Sequence, residues 1–349
     1  MGNSRPFTLG ITSDLVNENS EFTWGDISIG SLGSVPWRRI PESHDHLNSD
    51  QLSSVDAVLV GSAQVTAGSF SRDRQVPILI ARFGVGYDSI DLEACTSHGV
   101  AVTITTEGSM RPVSTAALTL LLATLYRLPQ KDQLARSGHW EKRLEGLGQG
   151  LSGTTVGCIG LGNVAQDFVR LLAPFEANVL AYDPWVNTEV ATSLGVELVK
   201  LEDLLRRSDS VVVLAALTPE NRGMIAAPQF DMMKSNAVLI NISRGPLVVH
   251  ADLVEALNSQ KIWGAGLDVF EQEPPPLGDP LLDHPNVVVT PHNLGWTTSL
   301  ATGMGHSAFT GIVDISRGQI PRNIVNRNVL ENSEFTSRLE QYALGNVDG

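Results

Sequence analysis

Short apolar runs separated by amphipathic stretches recur along most of the chain. In the first hundred residues, runs at 7–11, 57–60, 78–81 and 101–103 are of strand length. Residues 88–98 between them predict a helix, with Asp91 suited to its start and Gly99 to its stop. From Thr154 onward the pattern sharpens. Strands are predicted at 155–159, 179–182, 210–214, 237–241, 264–267 and 287–290, with helices at 164–173, 201–207 and 250–259. A long apolar helix is predicted at 113–128, ending at Pro129, and another helix at 299–317.

Strands alternating with helices in this way predict an α/β protein with parallel sheets covered by helices on both faces. Some segments resist this pattern. Residues 16–47, rich in Gly, Ser, Trp and Pro, predict loop with one irregular helix. Residues 274–276 are all proline and predict a rigid loop. The tail after Leu330 is polar and predicts loose packing.

Composition narrows the function classes. A chain of 349 residues with 42% apolar and 18% charged residues has globular composition and a length suited to about two domains. Its formal net charge of −14 argues against nucleic acid and anionic lipid as partners. Cys95 and Cys158 both fall in stretches that read as buried, which excludes a disulfide scaffold. No metal-ligand cluster stands out. No run is long and apolar enough for a bilayer, and residues 1–10 carry no apolar leader core, so a cytoplasmic location is expected.

The first chemical signal is Gly160-Leu161-Gly162-Asn163-Val164-Ala165, which follows a predicted strand and opens a helix. Gly160 permits a tight turn, Gly162 lets a pyrophosphate approach the backbone, and Ala165 lets the helix pack on the sheet. Free N–H groups at Asn163 and Val164 would meet the phosphate charge. Asp183 lies 18 residues after Ala165, at the end of the next predicted strand. A carboxylate there suits the adenine-ribose hydroxyls and repels a 2′-phosphate, which predicts NAD over NADP. The structural alternative is a glycine turn that merely joins strand to helix, with Asp183 capping a loop.

Three more segments follow predicted strands: Asn241-Ile242-Ser243-Arg244-Gly245, the run from Gly266 through Glu273 to Pro274, and Thr290-Pro291-His292-Asn293. Ligands of open α/β sheets bind outside the carboxyl ends of strands, so Arg244, Glu273 and His292 are expected on the edge that holds the glycine turn. Taken singly, each is more often a surface residue or a cap. Their value as a signal lies in their joint placement.

With these residues assembled, the chain resembles the D-isomer-specific 2-hydroxyacid dehydrogenase family, from about Phe83 to about Asn326. The resemblance is carried by Phe83-Gly84-Val85-Gly86-Tyr87-Asp88, the glycine turn, Asn241–Gly245, Gly266–Pro274 and Thr290–Asn293, in the family's order. It implies a Rossmann cofactor domain, residues 112–297, inserted in a flavodoxin-like substrate domain, residues 1–111 and 298–349, with a cleft between two doubly wound lobes. It also implies NADH-dependent hydride transfer between nicotinamide and C2 of a small D-2-hydroxy or 2-keto acid, and a homodimer in which the apolar helix at 113–128 is a plausible contact.

The same resemblance assigns roles. Arg244 would grip the substrate carboxylate and polarise its carbonyl. His292 would be the acid in reduction and the base in oxidation, held by Glu273 through its second ring nitrogen. Backbone N–H groups of Val85 and Gly86 would bind the carboxylate, and Trp296 would wall the substrate. Ile242, Ser243, Asp268, His292 and Gly295 would join the glycine turn and Asp183 around the cofactor, with Asp268 facing the nicotinamide carboxamide.

The chain also departs from the family. Ala216 stands where proline is common and Asn221 where threonine is common, both near the adenine side. Val113-Ser114-Thr115 replaces a helix start that often carries a glutamate. Gly61-Ser62-Ala63-Gln64 lacks an arginine that phosphoglycerate-type members often carry there, which disfavours a 3-phosphoglycerate substrate. Arg82 and Arg111 remain candidate anion ligands, and Trp24 and Met110 candidate pocket residues. The rival functions are an NAD-sensing corepressor-like regulator of the same fold and a formate- or phosphite-type dehydrogenase.

Overall fold

The computed structural model describes residues 6–43, 45–71 and 73–345, and divides into two compact units. One comprises the chain up to Ser109 and from Trp296 on; the other is Met110–Gly295. Residues 1–5, within the stretch expected to lack a leader core, and 346–349 lie outside the described residues. Among the described residues, no helix is long and apolar enough to cross a membrane.

The first unit is built on five parallel strands: β1 Leu9–Thr12, β2 Trp37–Ile40, β3 Ala57–Val60, β4 Leu79–Arg82 and β5 Ala101–Thr103, in spatial order β2-β1-β3-β4-β5. Successive side chains of a strand point to opposite faces, and both faces here are apolar. Leu9, Ile11, Leu59, Leu79 and Ala81 pack with Leu300, Met304, Phe309 and Ile312 of the helix Thr298–Ser316. On the other face Val58, Val60, Ile80 and Val102 pack with Leu52, Ala94 and Cys95. Burial on both faces explains why the central strands read as continuous apolar runs.

The second unit holds seven parallel strands: β6 Thr155–Ile159, β7 Asn178–Tyr182, β8 Glu197–Leu198, β9 Ser210–Val213, β10 Val238–Asn241, β11 Gly264–Leu267 and β12 Val287–Val289. Their order is β12-β11-β10-β9-β6-β7-β8. Val156, Cys158, Val212, Val238 and Ile240 face Leu120, Leu121, Phe168 and Leu172. Val211, Val213, Leu239 and Ala265 face Leu204, Leu205, Leu253 and Leu257. Chain order reverses between β6 and β9, which places the crevice of this sheet at its carboxyl edge beside β6.

Three expectations are corrected. Residues 16–47 contain the 3₁₀ turn Ile29–Leu32 but also β2, an edge strand whose two arginines hide its strand character. Pro129 does not end the long helix. That helix is Thr106–Leu125, and Pro129 sits in the first turn of a second helix, Leu128–Arg136, where its missing N–H is not needed.

The tail is not loose. Ser333–Gly345 is a helix that brings Phe335, fully buried, and Leu339 and Tyr342 onto the first core. The Tyr342 hydroxyl donates to Asp56 at 2.9 Å, and its ring meets Phe7 edge-on at 5.1 Å. The signal was an apolar spacing of four and three residues, diluted by polar neighbours.

Candidate active site

The glycine turn forms where β6 ends. Gly160 has φ +94°, and a Cβ there would lie 2.8 Å from the backbone of Ala215, just past β9. Both the conformation and the close approach therefore require glycine. Gly162 caps the helix Asn163–Leu172 without a side-chain bond, and a Cβ there would meet nothing within 4 Å. The first-turn N–H groups of Asn163 and Val164, at the positive end of the helix, thus have no side-chain cap from Gly162. Ala165 is fully buried.

Asp183, just past β7, is tied to this turn. Its Oδ2 accepts from Leu161 N–H at 2.7 Å, and its Oδ1 accepts from Trp185 and Val186 N–H at 2.9 and 3.1 Å. The carboxylate therefore does cap a loop, and it also holds the glycine turn.

A continuous path of contacts leads across the carboxyl edge from this turn to the other predicted residues. Ser243 Oγ donates to the carbonyl of Ala215, the residue Gly160 approaches. Asn241 fixes the next step, accepting from Ser243 N–H at 3.1 Å and donating to the Arg244 carbonyl at 3.0 Å. Arg244 donates Nη1 to the Ser243 carbonyl at 2.8 Å. Ile242 is buried in the core behind this loop. At Gly245 a Cβ would fall 1.9 Å from the Phe270 carbonyl, so only glycine lets the loops after β10 and β11 meet.

Phe270 N–H in turn donates to Glu273 Oε1 at 2.9 Å, and Glu273 Oε2 lies 2.7 Å from His292 Nδ1. Partial burial pushes the Glu273 carboxyl up. Hydrogen bonds from His292 and Phe270, and the charges of His292 and Arg244, outweigh this and hold it below the usual carboxylate range. The Glu273 bond occupies Nδ1 of the imidazole and leaves Nε2 for another partner.

His292 sits on a strained loop, at φ +54°. Asp268, 4% exposed, holds that loop. Its Oδ1 accepts from Thr290 Oγ1 at 2.6 Å and from Asn293 and Leu294 N–H at 3.1 and 3.2 Å. This clamp is a positioning role that the sequence did not suggest. Gly295 lies at the end of the same loop, with Val113 as its nearest neighbour.

The remaining predicted residues belong to the first unit. At the end of β4, the Arg82 guanidinium folds under the following loop and donates to the carbonyls of Phe83 and Gly86. The N–H groups of Val85 and Gly86 make no bond among the described residues. Trp296 meets Trp24 at 4.2 Å with the rings tilted by 43°, and Trp24 meets Phe83 edge-on at 5.5 Å.

Of the other candidates, Arg111 pairs with the buried Asp167 at 2.7 Å, and Asp167 also accepts from Ser114. Asn221 closes its own loop, accepting from Thr218 N–H and donating to the Ala216 carbonyl, both at 2.7 Å. These two departures from the family pattern are thus bonded to each other.

Comparison with known proteins agrees with this geometry. Residues 118–293 match the model of the D-isomer specific 2-hydroxyacid dehydrogenase NAD binding domain. The chain is 38% identical over 259 residues to a glyoxylate reductase of Pyrococcus horikoshii, covering 72% of this chain and 77% of that protein. It is 38% identical over 257 residues to a D-3-phosphoglycerate dehydrogenase of Archaeoglobus fulgidus, covering 74% of this chain and 49% of the relative. The chain thus spans about half the length of that relative. Among solved structures, an NADPH-dependent glyoxylate/hydroxypyruvate reductase of Sinorhizobium meliloti superposes with a TM-score of 0.77 at 28% identity, covering 93% of this chain and 98% of that one. The chain belongs to the D-isomer-specific 2-hydroxyacid dehydrogenase family.

Proposed function

We propose that the chain is an NAD(H)-dependent oxidoreductase that interconverts a small D-2-hydroxy acid and its 2-keto acid. The observation that carries this is the unbroken path of contacts from the glycine turn through Ser243, Gly245 and Phe270 to the Glu273–His292 pair. The unit containing that path would bind the dinucleotide.

The residues present fit a dinucleotide. The capless helix start at Gly162 leaves N–H donors for a pyrophosphate, and Asp183 is anchored where ribose hydroxyls would need an acceptor. An anchored carboxylate disfavours a 2′-phosphate, hence NAD over NADP. When bound, the cofactor supplies or accepts the hydride.

The chain's own residues would do the rest. Arg244 would hold the substrate carboxylate and carbonyl oxygen with fixed donors and stabilise charge developing on that oxygen. The free N–H groups of Val85 and Gly86 would add donors for the carboxylate. His292 would carry the transferred proton on Nε2, giving it to the carbonyl oxygen in reduction and taking it back in oxidation. Glu273 would fix the ring's tautomer and stabilise its charged form. Asp268 would hold the loop in place.

A homodimer is proposed on a different observation. The long helix named as a contact at first buries Ala116, Ala117, Leu120, Leu121 and Leu125 in its own core. The exposed apolar residues come just after it: Tyr126, Leu128, Trp140, Leu144 and Leu147, the last two more than three-quarters exposed. Exposed large apolar side chains concentrated in one short stretch of chain would suit an association surface. Light scattering on the purified chain tests this, and a monomer at micromolar concentration would refute it.

The oxidoreductase proposal is tested by NADH oxidation with a panel of 2-keto acids. Turnover is expected, and His292→Ala should lower kcat on the order of a hundredfold or more while NADH still binds. Tight NADH binding with no turnover of any 2-keto acid would point to a regulator instead.

A further inference from the structure

The carboxyl edge of the five-stranded sheet holds a feature that the proposed chemistry does not use. Chain order reverses between β1 and β3, so the crevice of this sheet opens beside the residues that follow those strands. These are Asp14 and Gly61-Ser62. Asp14 Oδ2 accepts from Ser62 N–H at 2.6 Å and from Ser62 Oγ at 2.9 Å. A Cβ at Gly61 would fall 2.0 Å from Asp14 Oδ2, so glycine there is what admits the carboxylate.

The other oxygen, Asp14 Oδ1, is buried and has no hydrogen-bond partner. A shielded, unpaired carboxylate oxygen is costly to keep. A shielded oxygen is placed to exert a field rather than to accept a bond.

The chain leaving Asp14 builds the neighbouring wall. Thr23 Oγ1 donates to the Asp14 carbonyl at 2.8 Å and Thr23 N–H to the Leu15 carbonyl at 3.0 Å. This brings Trp24 onto Phe83 and Trp296. Phe83 lies two residues before Val85, where the proposed carboxylate donors begin. Arg82, folded under that loop, directs its guanidinium to the carbonyls of Phe83 and Gly86, and Ser62, beside Asp14, carries no positive charge.

We propose that this edge selects 2-keto acids with an uncharged, apolar side group, Trp24 receiving that group and Asp14 refusing a second anion such as a phosphate or a distal carboxylate. This deepens the oxidoreductase reading and rests on it. A flat aromatic face favours apolar or aromatic side groups. A fixed negative charge at the same edge makes a dianionic substrate pay for like-charge approach. Asp14 and Trp24 would set specificity without touching the reacting atoms.

The test is kcat/KM for NADH-dependent reduction by the purified full chain. The panel is glyoxylate, hydroxypyruvate, 4-methyl-2-oxopentanoate, phenylpyruvate, oxaloacetate and 3-phosphohydroxypyruvate. The two apolar acids should exceed oxaloacetate and 3-phosphohydroxypyruvate, the two multiply charged acids, by about a hundredfold and should exceed hydroxypyruvate. In Asp14→Asn the ratio of either multiply charged acid to glyoxylate in kcat/KM should rise about tenfold. In Trp24→Ala the ratio of phenylpyruvate to glyoxylate should fall about tenfold, and Trp24→Phe should restore most of it.

Preference for hydroxypyruvate or a multiply charged acid over the apolar acids overturns the proposal. So do variants that change every substrate by the same factor, which is what a purely structural role predicts. Turnover of glyoxylate without apolar preference removes the selection and leaves the oxidoreductase reading standing. No turnover of any member removes both.

Discussion

Glu273 and His292 lie 19 residues apart in the chain and meet at 2.7 Å, Oε2 to Nδ1. The carboxylate arrives from the loop after β11 and the imidazole from the loop after β12, so the pair exists only because those two strands are neighbours. Both side chains remain partly exposed, at 37% and 44%, as a pair that must meet a ligand requires.

Removing that carboxylate should cost activity more than binding. Glu273→Gln keeps the shape but loses the carboxylate that holds His292 Nδ1. We expect kcat to fall on the order of a hundredfold and the affinity for NADH to change little. Steady-state kinetics and stopped-flow binding check this; an unchanged kcat would remove Glu273 from the ring-holding role.

The same carboxyl makes a statement about stability. Its folded-state pKa lies below its ordinary value. Its contribution is therefore present at neutral pH, above the unfolded-state value, and is lost as pH falls through the folded-state value. Denaturant unfolding of wild type and Glu273→Gln should differ at neutral pH and converge in acid. A constant difference across the range would contradict the linkage.

Gly245→Ala should damage the site without touching a charged group. The added Cβ must displace the Phe270 carbonyl, 1.9 Å away, and with it the N–H that holds Glu273. Overpacking of this kind typically costs about 1–3 kcal/mol. Thermal unfolding should show a lower Tm, and kcat should drop together with it. Wild-type kcat in a folded Gly245→Ala chain would show that the two loops need not touch.

Asp183→Ala removes the acceptor for Leu161 N–H as well as the proposed ribose partner. Weaker NADH binding is expected, and the preference for NAD over NADP should shrink by roughly tenfold, equivalent to about 1.4 kcal/mol. Fluorescence titration of both cofactors measures this. An unchanged ratio would confine Asp183 to holding the turn.

Phe335→Ala tests the docked tail. The ring is fully buried, so its loss should cost about 3–5 kcal/mol. Leu344→Ala, at a site 71% exposed, should stay within about 0.5 kcal/mol. Equal small effects in chemical denaturation would mean that the terminal helix adds little to the core.

Much of the fold was legible because periodicity is local. Ala57–Val60, Ala101–Thr103, Thr155–Ile159 and Gly264–Leu267 stand in the structure as the apolar runs placed them. The glycine turn and its helix were legible because the Gly-x-Gly spacing between an apolar run and an amphipathic stretch is visible in the string itself; of the two glycines, only Gly160, at φ +94°, is required by the backbone. Where two arginines diluted an edge strand, as in β2, or polar residues diluted a helix face, as around Phe335, the local pattern failed.

By itself, then, the order of residues determined the element types, the phosphate-ready turn and the placing of Arg244, Glu273 and His292 after successive strands. Which side chains actually touch was decided by the tertiary structure. That Gly245 lies against Phe270, that Asp268 gathers three donors, and that Asp14 faces Ser62 all depend on strand order and register. These are long-range properties set by how both faces of each sheet are buried, and no window along the chain contains them.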